Sequence, residues 1–121
     1  MSHEKHQIVW LRQEVFWNQL EADPKRKIDY NGWIIFTATR NELQIRVGTI
    51  PPNTDVSGED DPPGPVLRWY GKIGEIFLLM DLHEHAPQGN QVTIRHTGSN
   101  NARERLRSIF KSWGTNWLES E

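Results

Sequence analysis

The feature that most constrains the fold is an uninterrupted apolar run in the second half of the chain. Residues 76–80 are all apolar and lie within the predicted strand 75–82. A short run of this kind is typical of a central strand that is covered on both faces. Because periodicity does not separate such a strand from a short buried helix, a helix over 73–83 is the alternative interpretation. The run predicts a sheet with other elements packed against it.

Four other segments have the composition of strands. The first pair, 33–39 and 43–50, is rich in β-branched and aromatic residues, and the second of them alternates apolar and polar positions. Asn41 lies between them and suits the left-handed conformation of a tight turn, so this pair predicts a hairpin. The other pair, 66–70 and 91–96, flanks the central run. Together they predict an antiparallel meander of about five strands.

Glycine and proline mark the connections between these segments. Gly71 and Gly74 lie between 66–70 and the central run, and we expect them to supply the geometry of a turn. The segment 51–65 holds five of the seven prolines and an acidic run, so it cannot form a regular ladder and is expected to be a flexible surface loop.

A helix is predicted at each end of the chain. Residues 5–22 form the first, which should stop near Ala22 because Pro24 disfavours helical geometry at the preceding residue. Its apolar arc is wide, since Trp10 and Trp17 extend it. We therefore expect the helix to be buried between two layers of the fold, or one side of its apolar arc to contact a second copy of the chain or a partner.

The C-terminal helix has the cleaner periodicity. Residues 99–101 supply N-cap chemistry, and Asn101 with Glu104 has the spacing of a capping box. One apolar stripe runs along it, formed by Ala102, Leu106, Ile109, Trp113 and Trp117. The whole pattern predicts a single α+β domain over 1–121: an N-terminal helix, the meander, and a C-terminal amphipathic helix packed on the sheet as a two-layer sandwich or half-barrel.

Composition excludes several function classes. The 121 residues include no cysteine, which excludes disulfide scaffolds, thiolate metal sites and thiol catalysis. No stretch approaches about 18 consecutive apolar residues, and the first 20 lack the pattern of a signal peptide, so we expect a soluble, cytoplasmic protein without membrane association. No phosphate loop, dinucleotide fingerprint or catalytic constellation is present, and we therefore expect no enzymatic activity and no cofactor.

One polar cluster suggests a metal site. Asp81, His83 and His85 recur at every second position, which in a strand places them on one face, and His96 could join them from a neighbouring strand. Imidazole and carboxylate groups are ligands that Zn²⁺, Ni²⁺ or Fe²⁺ accept. The ordinary alternative is a solvated strand end before a turn. A metal-dependent enzyme is accordingly the second alternative function.

A basic helix face suggests nucleic-acid binding. Arg103, Arg107 and Lys111 line one side of the C-terminal helix, and Trp33 or Trp69, if exposed, would stack a base. The same pattern is normal for a solvated face opposite an apolar stripe, and the formal net charge of −2 gives no overall attraction to phosphate. Nucleic-acid binding is the first alternative function.

The surplus of aromatic side chains favours contact with another protein. Six tryptophans in 121 residues exceed ordinary usage, and tryptophan and arginine are enriched at interface hot spots. The expected partner-binding residues are Trp10, Trp17, Trp113, Trp117, Arg103, Arg107 and Lys111. Core packing is the alternative role of these tryptophans. The sequence thus predicts a small non-enzymatic protein-binding module, such as an adaptor, chaperone-like or inhibitor protein, with a homodimer through the N-terminal helix as one arrangement.

Overall fold

The computed structural model describes residues 7–55, 66–86, 89–113 and 116–117, with the backbone alone at 30–33, 55 and 116–117. Its elements are β1 (Val9–Leu11), α1 (Gln13–Glu21), β2 (Asp29–Thr37), α2 (Arg40–Val47), β3 (Asn53–Asp55), β4 (Val66–Ile73), β5 (Ile76–His83), β6 (Gln91–His96), α3 (Asn100–Lys111) and β7 (Asn116–Trp117). The strands form one antiparallel sheet in the order β1-β4-β5-β6-β2-β7, and β3 also pairs with β4.

The centre of the sheet is β5, whose eight residues are all buried. It pairs with β4 on one side and β6 on the other. The central apolar run is thus a strand covered on both faces, as predicted, and the alternative helix over 73–83 is wrong. β6 spans the segment predicted for it.

The helices pack on both faces of this sheet. On one face, Phe16 and Leu20 of α1 contact Tyr70, Phe77 and Leu79, which form a smaller apolar cluster. On the other face lies the main core, in which buried residues of α2 and α3 meet alternate positions of β4, β5 and β6. The α+β class, with an amphipathic C-terminal helix on the sheet, is confirmed. In the part of the chain that the structure describes, no helix is long and apolar enough to cross a membrane.

The predicted hairpin over 33–50 is wrong, because its second half is helix α2. Thr39 closes a capping box with Glu42: the Thr39 backbone N–H donates to Glu42 Oε1 at 2.7 Å, and the Glu42 N–H donates to Thr39 Oγ1 at 3.2 Å. Leu43 and Val47, four residues apart, are buried on one helical face. Ile45, which the strand pattern grouped with them, is 80% exposed.

The N-terminal helix is shorter than predicted. Residues 9–11 of the predicted 5–22 helix form β1, and residues 5–6 lie outside the described residues. The segment 8–11 is a run of β-branched and large apolar residues, which pair readily with the edge of β4. The end of α1 at Glu21, with Ala22 as C-cap, agrees with the stop predicted from Pro24. Trp10 and Trp17 therefore stand on different elements.

Gly71 is a strand residue and not part of a turn. It lies within β4 opposite Trp10, and the turn to β5 is made by Gly74, which has a φ of +57°. A Cβ on Gly71 would lie 2.7 Å from Ile8 Cγ2 and 3.0 Å from the Trp10 ring. Glycine at this position allows both side chains to close over the sheet.

The predicted loop over 51–65 is only partly described. Residues 53–55 form β3, a short strand on the edge of β4, so this part of the segment is more regular than expected. Residues 56–65 lie outside the described residues. At the start of α3, the N-cap is Ser99, whose Oγ accepts from the Asn101 N–H at 3.3 Å.

Candidate functional site

The candidate site is a groove at one edge of the sheet, on the face covered by α2 and α3. It has a cavity volume of about 460 Å³ and is open to solvent. Three parts of the chain meet there: the start of the described chain with β1, the end of α2 with the loop after it, and the end of α3. Its lining consists of Gln7, Ile8, Trp10, Arg46, Val47, Thr49, Ile50, Ile109, Ser112 and Trp113.

Aromatic contacts hold the two tryptophans of this groove in place. The Trp10 and Trp113 ring centroids lie 6.5 Å apart with the planes tilted by 51°. Behind them, Trp113 meets Phe110 edge-on at 4.7 Å, and Phe110 stacks on Phe36 of β2 at 5.4 Å. Each aromatic pair contributes about 0.5–1.5 kcal/mol beyond its area burial. The Trp10–Trp113 groove, as we call the site, is therefore continuous with the core.

Arg46 is the charged residue of the groove. Its Nη2 donates to the backbone oxygen of Trp113 at 3.1 Å, and its guanidinium lies over the Trp113 ring, 5.4 Å from the centroid. These two contacts fix the side chain against the groove wall. Among the described residues, no carboxylate forms an ion pair with Arg46.

The loop that completes the groove is held by Gln44 of α2. Its Nε2 donates to the backbone oxygens of Gly48 and Ile50, both at 2.9 Å, while its Oε1 accepts from Trp69 Nε1 at 3.4 Å. Gly48 follows α2 with a φ of +99°, a conformation that glycine adopts without the strain that a Cβ brings. These contacts position Thr49 and Ile50 in the groove wall.

The structure brings together two of the four predicted partner-binding tryptophans. Trp10 and Trp113 share the groove although they are far apart in sequence. Trp17 lies on the opposite face of the sheet, where its ring contacts Phe16 at 5.0 Å and Tyr70 at 6.1 Å. Trp117 is in β7, not in the C-terminal helix, and its described part is its backbone, which pairs with Phe36.

The predicted basic residues lie on α3 but do not line the groove. Arg107 forms an ion pair with Glu104 at 2.7 Å, and neither Arg103 nor Lys111 is among the lining residues. A second shallow depression, about 440 Å³ in volume, adjoins the groove through Ile109 and Ser112 and includes Arg105. Trp69, considered above as an exposed stacking residue, is only 1% exposed.

The predicted metal ligands are separated in the structure. Asp81 accepts two hydrogen bonds from Arg68, at 2.7 and 2.9 Å, and His83 Nε2 lies 3.1 Å from Thr93 Oγ1. β5 ends at His83, so His85 is in the following turn and is exposed.

His96 does not join this set. It pairs with Leu78 and so faces the main core, on the other side of the sheet from Asp81 and His83. Within the described ranges, no three histidine or carboxylate side chains are grouped to hold a metal ion.

Sequence reasoning missed Arg46 as a site residue. The predicted strand 43–50 includes Arg46, and a strand there indicates no relation to Trp113. The spacing of Thr39 and Glu42 is a capping box, and that signal would have placed Arg46 in the last turn of a helix.

Surface exposure on α1 bears on the predicted homodimer. Val15 of this helix is 39% exposed, while Phe16 and Leu20 are buried against the sheet. The homodimer through this helix stays a prediction.

The chain matches no protein-family model, no curated protein and no solved structure. We therefore infer function from the geometry of the site.

Proposed function

We propose that the protein is a small non-enzymatic binding module that holds a segment of another protein in the Trp10–Trp113 groove. The observation that supports this most directly is the meeting of two partly buried tryptophans and an arginine in one open groove. Tryptophan and arginine are the residue types that most often dominate interface energetics. The apolar wall accepts an anchoring side chain, and the polar rim accepts the backbone around it.

The orientation of the rings favours a protein segment over a nucleic acid. Sequence-tolerant binding of single strands uses aromatic faces on which bases stack. Here the guanidinium of Arg46 lies over the Trp113 ring, and Trp10 lies against Gly71 of β4. These rings form the wall of a groove, which suits the insertion of an aliphatic or aromatic side chain.

The energetics require more than one contact. Burial of one large apolar side chain contributes about 1.5–3 kcal/mol. Loss of translational and rotational freedom on association costs about 4–15 kcal/mol, so the anchor alone does not give stable binding. We expect a segment that also pairs with the polar rim, of which Arg46 and Thr49 are part.

A random peptide library displayed on phage and selected on the immobilised protein tests this proposal. We expect enrichment of peptides that share a large apolar residue. Binding of the enriched peptides should fall by at least about 30-fold with Trp10→Ala, as for a hot-spot residue. Thr49→Trp should also abolish it, because Thr49 is exposed and a bulky side chain there fills the groove.

Trp17→Ala is the matched control, since it removes the same residue type from the opposite face of the sheet. It should leave peptide binding unchanged. Failure to enrich any peptide family, or a family that binds the Thr49→Trp protein equally well, would reject the groove as a protein-binding site.

A further inference from the structure

We infer that the segment bound in the Trp10–Trp113 groove is acidic: it presents a carboxylate to Arg46 beside the apolar side chain that enters the groove. This inference rests on the proposed function and names the chemistry of the partner.

The lining of the groove carries a single kind of charge. Of the described residues that line the groove, Arg46 is the only ionisable one; the others are apolar or neutral and polar. Within the described residues, Arg46 has the Trp113 backbone oxygen and ring as its contacts and no carboxylate. An acidic group on the partner would provide a counter-charge for this guanidinium.

The geometry of Arg46 suits a carboxylate in particular. A guanidinium presents five N–H donors in a planar fork that matches the two oxygens of a carboxylate. One of these nitrogens already donates to the Trp113 backbone oxygen, and the guanidinium lies over the Trp113 ring, so two contacts limit the movement of the fork. Arg46 therefore loses less side-chain entropy on pairing with a carboxylate than a freely rotating arginine would lose.

The surrounding charge acts in the same direction. Helices α2 and α3, which flank the groove, together contain six basic and two acidic side chains. Helix α1, on the other face of the sheet, contains two acidic side chains and no basic one. Helices α2 and α3 thus carry an excess of basic side chains on the groove side, although the net charge of the chain is −2. An acidic segment is attracted to the groove side, which raises its association rate.

The test uses the peptides selected on the wild-type protein. We expect an excess of aspartate or glutamate next to the shared apolar residue. Arg46→Gln should weaken binding by about threefold to fivefold, the effect of an exposed ion pair. Replacement of the peptide's acidic residue by its amide should weaken binding equally, with no further loss when both changes are combined.

Arg40→Gln is the matched control for charge. Arg40 is an exposed arginine at the other end of α2 and does not line the groove. It should change the affinity by less than about 1.5-fold, as expected for a distant charge screened by salt. Enriched peptides without acidic residues, bound equally well by Arg46→Gln, would overturn the acidic partner and leave the groove function standing. The absence of any enriched peptide would reject the proposed function itself.

Two further measurements cover other occupants. Tight binding of a single-stranded DNA oligonucleotide that is lost with Arg46→Gln would overturn the proposal in favour of a nucleic acid. A dimer by light scattering that Arg46→Glu dissociates would overturn it in favour of a second copy of this chain.

Discussion

Replacement of Gly71 by alanine tests how the groove is built. Its added Cβ would lie 2.7 Å from Ile8 Cγ2 and 3.0 Å from two carbons of the Trp10 ring. Contacts this close force Ile8 and Trp10 away from β4, and both residues line the groove. Overpacking of this kind costs about 1–3 kcal/mol in the free energy of unfolding.

A second effect of Gly71→Ala opposes this loss of stability. Gly71 is not among the described residues with positive φ, so alanine fits its backbone conformation without strain. Replacement of glycine by alanine then stabilises the folded state by about 0.4–1 kcal/mol, because it restricts the unfolded chain. The net expectation is a destabilisation of about 1–2 kcal/mol, or a fall in Tm of roughly 3–8 °C for a domain of this size.

Urea denaturation followed by circular dichroism measures this loss. Ile8→Ala provides the matched background, since it removes the atom in closest contact with the new Cβ. In that background the cost of Gly71→Ala should be smaller, and the difference measures the clash itself. If Gly71→Ala instead raises the stability by the entropic gain alone, the side chains of Ile8 and Trp10 do not close over β4, and the groove is not formed as described.

Three other predictions test the fold by urea denaturation. Asp81→Asn should destabilise the protein by about 3 kcal/mol, because it breaks the buried bidentate pair with Arg68; a change under 1 kcal/mol would mean that the pair is not buried as described. Leu43→Ala should cost about 2–5 kcal/mol, whereas Ile45→Ala should change stability by at most about 0.5 kcal/mol. Equal losses at these two positions would show that both side chains are buried on one face, as in a strand, and would contradict helix α2. Thr39→Ala should cost about 1 kcal/mol through loss of the cap of α2, and an unchanged midpoint would contradict the capping box.

The elements predicted well are those whose signal is local and uninterrupted. β5 follows from an apolar run that is typical of a strand covered on both faces, and β6 from a short segment bounded by turn residues. α3 follows from apolar residues spaced three and four apart after the N-cap residues 99–101, although the N-cap is Ser99 and the predicted capping box of Asn101 with Glu104 is wrong. For β6 and α3 the periodicity and the flanking residues indicate the same structure, whereas the run of β5 also allowed a buried helix.

The elements that were mispredicted carry two competing signals. In α2, Leu43, Ile45 and Val47 alternate like a strand, although Leu43 and Val47 are also one helical turn apart. The capping box of Thr39 with Glu42 is the signal that distinguishes the helix from the strand. In β1, a run that continues the apolar arc of a helix pairs instead with β4, a tertiary contact that no local pattern shows.

The candidate site could be predicted only in part. The excess of tryptophan indicated an interface, and Trp10 and Trp113 were both named for it. Their meeting depends on the pairing of β1 with β4 and on the contact between Arg46 of α2 and Trp113 after α3, which are long-range contacts. Arg46 lies in the mispredicted strand 43–50, so sequence patterns do not indicate its contact with the Trp113 ring.

The central claim is that Trp10, Trp113 and Arg46 form one binding groove. Two-dimensional NMR of the tryptophan indole N–H signals, during titration with the tightest selected peptide, tests it most directly. We expect the Trp10 and Trp113 signals to shift together and saturate with the peptide, while the Trp17 signal on the opposite face of the sheet stays in place. Shifts confined to Trp17, with Trp10 and Trp113 unmoved, would contradict the account.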